Sequence, residues 1–424
     1  MVQGLTNLGN SCFMNAAVQG LASLNPFIEY LESLSLHFPK SKIVNSLLKT
    51  TQELLQPVSD SSIIPSIARH AVVKRHFLSD MEQHDSAEFI TYLFGWMDDE
   101  IKDTRVKRKD PREGGGEEGK VVSPLTAGDG GLLLSRTIGL VHPSTQSIRD
   151  IIGTTNQKPT NGKQKAIPKN SIFQLNPFCG LLESTVRCNI CGFTSTTYNE
   201  FLELTIPIHW YGRTSRSLSL SDCFEKFTES ETVTWKCEEC SHAHEDAQWQ
   251  TTAKKQLTIA RHPKLLLVHL QRLVQGGKVE VEVKFGPGFE TLRFSSFEKG
   301  IFSPAYRAVS VTEDLLNVVP DLRPLDPLAS PRTAPPGCAL PREPLEMPTG
   351  SSIEYDLVAI ICHYGSAYGG HYVVFKRVLQ AKQEGRSLSS EWVFMSDDKW
   401  KMVSEEAVFQ QQKYATLLFY QKMD

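Results

Sequence analysis

The chain has 424 residues, 40% of them hydrophobic and 22% charged, enough to bury a substantial core in roughly two or three structural units. Its 45 lysines and arginines against 48 aspartates and glutamates leave a formal charge of -3, which excludes any general attraction to nucleic acid or to an anionic membrane surface. No apolar run approaches the roughly 20 residues that cross a bilayer, and the amino terminus has neither a signal-peptide core nor a basic flank, so the sequence reads as intracellular, without a membrane segment.

The first predicted element is a helix in "GLTNLGNSCFMNAAVQGL", which begins at Gly4. A polar, glycine-containing turn gives way there to an amphipathic run. Asn10 and Ser11 are capping residues, which puts Cys12 in the first turn. Asn25-Pro26 is expected to end that helix, because proline disfavours helical geometry in the residue before it. A further helix is predicted in "DSAEFITYLFGWMDDEI", with Asp85 near its cap and Ala87, Ile90, Thr91 and Phe94 at helical spacing.

From 105 to 170 the pattern dissolves into glycine and like-charged clusters that cannot offset the cost of ordering the chain, so a flexible insertion is expected. Within it, "LLLSRTIGLV" is either a docking segment or incidental local packing. Strands are expected in "FQLNPFCGLLESTVRCNICGFTSTTYNEFLELTIPI". Proline density from 320 to 350 then forbids a regular ladder and suggests an exposed connector. The last segment supplies four predicted strands, "YDLVAIICHY", "HYVVFKR", "EWVFMSDD" and "ATLLFYQK".

Nine cysteines are an odd number and too few for a disulfide framework in this length. Four of them form two Cys-x-x-Cys pairs, Cys188 with Cys191 and Cys237 with Cys240. Four soft thiolates suit tetrahedral zinc in a closed, structural site that fastens two distant strands. His242 and His244 lie nearby, but the sulfurs already complete a coordination shell. Cys179, Cys223, Cys338 and Cys362 read as core or loop thiols.

Cys12 has two readings, a small buried core residue or a nucleophile whose thiolate the oriented amides of a helix start would favour. Asn7 either caps the turn or, if Gly9 folds the entry back, converges with the Cys12 backbone amide on an oxyanion. Of two histidines near the carboxyl terminus, His363 follows an apolar run, whereas His371 follows Gly369-Gly370 and enters a strand. Glycines permit close approach of a substrate backbone, so His371 is the better base. "EWVFMSDD" supplies Ser396 and Asp397 as candidate acceptors for its imidazole, and local sequence does not choose between them.

Taken together, "GLTNLGNSCFMNAAVQGL", "EQHDSAEF", "YDLVAIICHYGSAYGGHYVVFKR" and "WVFMSDD" resemble the cysteine and histidine boxes of the ubiquitin-specific protease family. The resemblance implies an α+β, papain-like fold: a helical thumb over 1–104, zinc-binding β-rich fingers with part of the palm over 171–319, and a β-sheet palm over 351–424. It implies hydrolysis of the bond after ubiquitin's terminal glycine, with Cys12 as nucleophile, His371 as base and Asn7 as oxyanion donor. Gln83 and Asp85 match a stretch that faces ubiquitin's basic tail, and Gly365, Gly369 and Gly370 become cleft-loop candidates, with a plain turn role open for Gly365.

The family's third catalytic position usually holds aspartate or asparagine, and Ser396 occupies it here, followed by the acidic Asp397. Serine there resembles a branch that includes a mitochondrial-outer-membrane protease opposing mitophagy. That branch implies an interest in lysine-6-linked ubiquitin chains and placement at that membrane if an anchor lies outside the sequence. Ubiquitin, its chains and ubiquitinated proteins are the implied partners, met by a monomer. A ubiquitin-binding scaffold with weak turnover is the alternative, since a serine hydroxyl supplies no charge to stabilise imidazolium. A cysteine hydrolase of small substrates is a third.

Overall fold

The computed structural model describes residues 3–56, 63–68, 84–108, 175–208, 218–243, 250–274, 277–285, 291–295, 352–378 and 391–423. The expected insertion at 105–170 lies outside them except for the end of a helix, and the connector at 320–350 lies outside them entirely. So do "LLLSRTIGLV", His244 and Cys338.

The chain opens with helices α1 (Cys12–Leu21), α2 (Asn25–His37), α3 (Lys42–Leu55) and α4 (Ser86–Arg108). Gly9 (φ 92°) and Asn10 (φ 51°) make a left-handed turn ahead of α1, a conformation those residue types adopt at least cost. All ten residues of α1 are buried, so it is the central helix of the thumb. Asn25-Pro26 does not itself stop α1, which ends at Leu21; the pair opens α2, where proline in the first turn loses no hydrogen bond. The Asp85 carboxylate caps α4 by accepting from the backbone of Ala87 (2.6 Å) and Glu88 (3.3 Å). That helix continues to Arg108, past the boundary read at 104.

The segment of the fingers and part of the palm holds β1 (Gly180–Cys188), β2 (Thr194–Phe201), β3 (Leu204–Pro207), β4 (Leu218–Ser219), α5 (Leu220–Thr228), β5 (Glu231–Trp235), α6 (Glu238–Ala243), β6 (Thr251–Arg261) and β7 (Leu265–Gln271). Next come the small hairpin of β8 (Leu273–Val274) and β9 (Gly277–Lys278), then β10 (Val283–Lys284) and β11 (Thr291–Ser295). The carboxyl-terminal segment is β12 (Ser352–Ser366), β13 (Gly369–Val378), β14 (Glu391–Ser396), β15 (Lys399–Val403), α7 (Glu405–Phe409) and β16 (Ala415–Lys422). All four strands expected there are present.

Two larger sheets organise most of these strands, beside the two-stranded pairs β4–β10 and β8–β9. One is four-stranded, in the order β2-β1-β6-β5, and makes the fingers. The other runs β15-β14-β13-β12-β16-β7-β3, with β11 also paired to β12, and makes the palm. Alternation along the palm strands divides the core. Ala359, Ile361, Val374, Leu417 and Phe419 face the thumb helices, while Ile360, Val373, Phe375 and Leu418 join Phe224 and Phe227 of α5 on the other side. Among the described residues no helix is long and apolar enough to cross a membrane.

Candidate active site

The site forms where the start of α1 meets the ends of β13 and β14. Asn7 folds the entry turn back on itself, its Oδ1 accepting from the backbone of Gly9 (3.0 Å) and Ser11 (3.2 Å) and from the Ser11 hydroxyl (3.2 Å). Asn7 Nδ2 donates to Asp397 Oδ2 at 3.0 Å. A carboxamide nitrogen carries two hydrogens, so a turn-capping role and a donor role coexist in one side chain. Cys12 follows as the first residue of α1 and is 2% exposed.

His371 stands at the third position of β13, opposite Tyr364 of β12, and its side chain is 41% exposed. Its Nε2 lies 2.8 Å from Ser396 Oγ and 3.9 Å from Asp397 Oδ2. Of the two acceptors left open by the sequence, Ser396 is therefore the one in hydrogen-bond contact. Asp397 instead ties the palm to α1: its Oδ1 accepts from Asn15 Nδ2 (2.8 Å), and its backbone carbonyl accepts from Gln19 Nε2 (2.7 Å) and the Leu5 amide (3.1 Å). Asp397 adopts φ 54° to do so, and a Cβ on Gly4 would sit 2.4 Å from Asp398 Cα, so the strand-to-turn corner is clamped closely against the entry segment.

A cleft of about 630 Å³ opens beside this cluster, lined in part by His84, Asp85, His363, Gly369, Gly370 and Tyr372. Asp85 Oδ2 accepts from the Tyr372 hydroxyl at 3.1 Å. Burial above all, with the nearby Asp85 charge, pushes the Tyr372 phenol well up, so it remains the donor. The Ser86 hydroxyl donates to the Phe13 carbonyl at 3.0 Å, which fixes the start of α4 beside the first turn of α1. Gly365 (φ 130°), Gly369 and Gly370 form the hairpin ahead of His371, where a Cβ on Gly370 would lie 2.1 Å from the Tyr364 carbonyl oxygen. Gln83 lies outside the described residues.

His363 is 3% exposed and stacks on Tyr372 with centroids 4.5 Å apart. Burial first, then the Lys278 charge, lowers its pKa to about 4, against an opposing pull from Asp85. It is a neutral packing residue at pH 7, which separates it from the half-exposed His371.

The ubiquitin carboxyl-terminal hydrolase family model matches residues 3–420. The chain belongs to that family. It is a deubiquitinating cysteine protease. Relatives include ubiquitin carboxyl-terminal hydrolase 30 of Mus musculus, 25% identical over 100% of this chain and 84% of that protein. Ubiquitin carboxyl-terminal hydrolase 21 of Mus musculus is 26% identical over 99% of this chain and 61% of its own length. A solved SAGA Ubp8/Sgf11/Sus1/Sgf73 DUB module bound to ubiquitin aldehyde is similar in fold, with a TM-score of 0.57 at 20% identity over 100% of this chain and 70% of that one. The α+β thumb, fingers and palm architecture is thus that of the ubiquitin-specific proteases.

In this hydrolase the four finger cysteines converge. The sulfurs of Cys188, Cys191, Cys237 and Cys240 all lie within 4.8 Å of one another, with Cys188 to Cys240 at 3.8 Å and Cys191 to Cys237 at 3.5 Å. Tetrahedral thiolates at about 2.3 Å from a zinc ion stand about 3.8 Å apart, so the cluster fits a closed four-sulfur site. It joins the end of β1 to α6, under a stacked Phe193–Trp235 pair. Cys179, Cys223 and Cys362 are buried, as core thiols should be.

Two residues of this hydrolase that sequence reasoning passed over are Asn15 and Gln19. Both are fully buried, and both bind Asp397. The available signal was two carboxamides four positions apart in a helix otherwise made of apolar and small residues; fully buried polar groups need dedicated partners.

Proposed function

We propose that this hydrolase cleaves the peptide or isopeptide bond after ubiquitin's terminal glycine through a thioester on Cys12. His371 donates its Nε2 hydrogen to Ser396 and takes the Cys12 proton on Nδ1. The sulfur attacks the glycine carbonyl, and the second Asn7 Nδ2 hydrogen, with the Cys12 backbone amide, stabilises the resulting oxyanion. The imidazolium returns its proton to the leaving amine as the carbon–nitrogen bond breaks. His371 then deprotonates water, which displaces the thiol and frees ubiquitin's carboxylate. Asp397 acts through Asn7, holding its carboxamide in the donor orientation.

Asp85, with Gln83, serves ubiquitin's basic tail, and the glycines at 365, 369 and 370 leave room for its side-chain-free end. A structural zinc held by the four finger cysteines keeps the fingers rigid against ubiquitin's body. On the resemblance to the mitochondrial branch, the proposed setting is the mitochondrial outer membrane, with lysine-6-linked chains among the substrates.

The observation that carries this reading is the 2.8 Å contact of His371 Nε2 with Ser396 Oγ, His371 standing in the chain between Gly370 and Tyr372, which both line the cleft. It is tested with a fluorogenic ubiquitin amide. Wild type should exceed Cys12→Ala and His371→Ala by about 10³-fold or more. Saturable ubiquitin binding with turnover no faster than Cys12→Ala would overturn it.

A further inference from the structure

β12 projects beyond its neighbour in the palm. Its pairing with β16 ends at Cys362 opposite Ala415, followed by one contact from the His363 amide to the Tyr414 carbonyl (3.0 Å), whereas pairing with β13 continues to Ser366 opposite Gly369. Among the described residues, the last residues of β12 therefore form a stub supported by a strand on one edge only. The His363 amide points to the β16 side, and alternation along a strand turns the His363 and Gly365 carbonyls to that same unsupported edge. That stub carries the hairpin whose returning arm begins with His371.

Both carbonyls are held by one ammonium group. Lys278 Nζ, on β9, donates to the His363 carbonyl at 2.6 Å and to the Gly365 carbonyl at 2.9 Å. Lys278 is itself placed by Arg272, a fully buried guanidinium ringed by backbone carbonyls. Arg272 donates to the carbonyls of Val279 (3.2 Å) and Val281 (2.7 Å) just beyond β9, of Gln412 (2.7 Å) in the turn ahead of β16 and of Ala415 (2.6 Å) at its start. The β8–β9 hairpin is thereby anchored to the end of β16, and Lys278 spans from it to the stub that β16 does not reach.

We propose that Lys278 is a positioning residue for His371: its charge-assisted bonds replace the missing strand and hold the Gly365–Gly370 hairpin in register, which fixes the imidazole against Ser396. Lys278 touches no reacting atom, and the proposal rests on His371 being the base. A displacement of the imidazole by a fraction of an ångström would lower the rate of proton transfer while leaving ubiquitin's distant contacts intact.

The test is steady-state cleavage of a fluorogenic ubiquitin amide by wild type, Lys278→Met, Lys278→Gln, Lys278→Arg and His371→Ala, with thermal unfolding of each. Lys278→Met keeps most of the side-chain stem but no donor, and its kcat should fall by about tenfold or more with KM changed less than about threefold. Lys278→Gln keeps one neutral donor and should fall between, which also serves if the methionine variant folds poorly. Lys278→Arg should recover most of the rate, since its fork offers two donors. A wild-type kcat in Lys278→Met or Lys278→Gln, or a loss confined to melting temperature, overturns the proposal while inactive His371→Ala leaves the base assignment standing. An active His371→Ala would instead remove the base assignment itself.

Discussion

The His371 imidazole is held by the Ser396 hydroxyl at 2.8 Å, with the Asp397 carboxylate 3.9 Å from the same nitrogen. The hydrogen bond to the imidazole and the negative charge beside it, which a single carboxylate could supply together, thus come from two adjacent residues. A hydroxyl fixes the ring through geometry alone, so its removal should cost rate and little binding. Ser396→Ala should lower kcat by about tenfold with KM nearly constant, and Ser396→Thr should retain most activity. Initial rates with a fluorogenic ubiquitin substrate check both; an unchanged rate in Ser396→Ala removes the orienting role.

Asp397 is expected to act on both catalysis and stability because it bonds Asn7 at the surface and Asn15 in the core. Asn7→Ala should lower kcat by about 10²-fold, as for loss of one oxyanion donor. Asp397→Ala should match that loss and also destabilise by roughly 1–3 kcal/mol, because the buried Asn15 amide then loses its charged acceptor and keeps only the longer bonds to the Thr6 (3.2 Å) and Leu5 (3.4 Å) carbonyls. The double variant should be no slower than the worse single one, which is the signature of residues acting as a unit. Additive rate losses would separate the two roles.

Burial lowers His363, and its neighbouring Lys278 charge adds to the effect, giving a pKa of about 4 against an ordinary 6.5. The unfolded chain therefore binds a proton that the folded one refuses. This contribution to stability is complete above pH 6.5 and is lost as pH falls toward 4, by up to roughly 2–3 kcal/mol. His262, lowered to about 4 by burial and by Lys422, adds in the same direction. Chemical denaturation between pH 7 and pH 5 should show a steep loss in wild type and a shallower one in a His262→Gln, His363→Gln double variant. Equal slopes would contradict the assignment.

The four finger sulfurs predict one tightly held zinc per chain. Elemental analysis should find about one equivalent in wild type and far less in Cys237→Ser, with a lower melting temperature on treatment with a strong chelator. Because the cluster lies in the fingers, metal loss should raise KM for ubiquitin more than it lowers kcat. Full metal content in Cys237→Ser would remove the site.

Much of this was legible in the sequence because the signals were local. The glycine turn before Cys12, the Asp85 cap, the alternating carboxyl-terminal strands and the paired finger cysteines each depend on neighbours a few residues apart; the side-chain cap expected of Ser11 is not made, because its hydroxyl accepts from the Leu8 amide (2.8 Å) and donates to Asn7 Oδ1 (3.2 Å) instead. What escaped was long-range. Nothing near Asn15 or Gln19 shows that their partner lies at Asp397, 382 and 378 positions away. The choice between Ser396 and Asp397 needed the corner at the end of β14, where Asp397 (φ 54°) bonds Asn7 and Asn15 and stands 3.9 Å from the imidazole nitrogen, beyond hydrogen-bond reach. Lys278 was equally invisible, since its partners are backbone carbonyls exposed only because β12 outruns β16.

The most direct test of the account is covalent capture. Ubiquitin bearing a carboxyl-terminal alkyne, incubated with the intact chain and followed by peptide mass spectrometry, should place a single adduct on Cys12. The adduct should vanish in Cys12→Ala and form far more slowly in His371→Ala. An adduct on another cysteine, or one that persists at the same rate in Cys12→Ala, would contradict the assignment of Cys12 as the nucleophile.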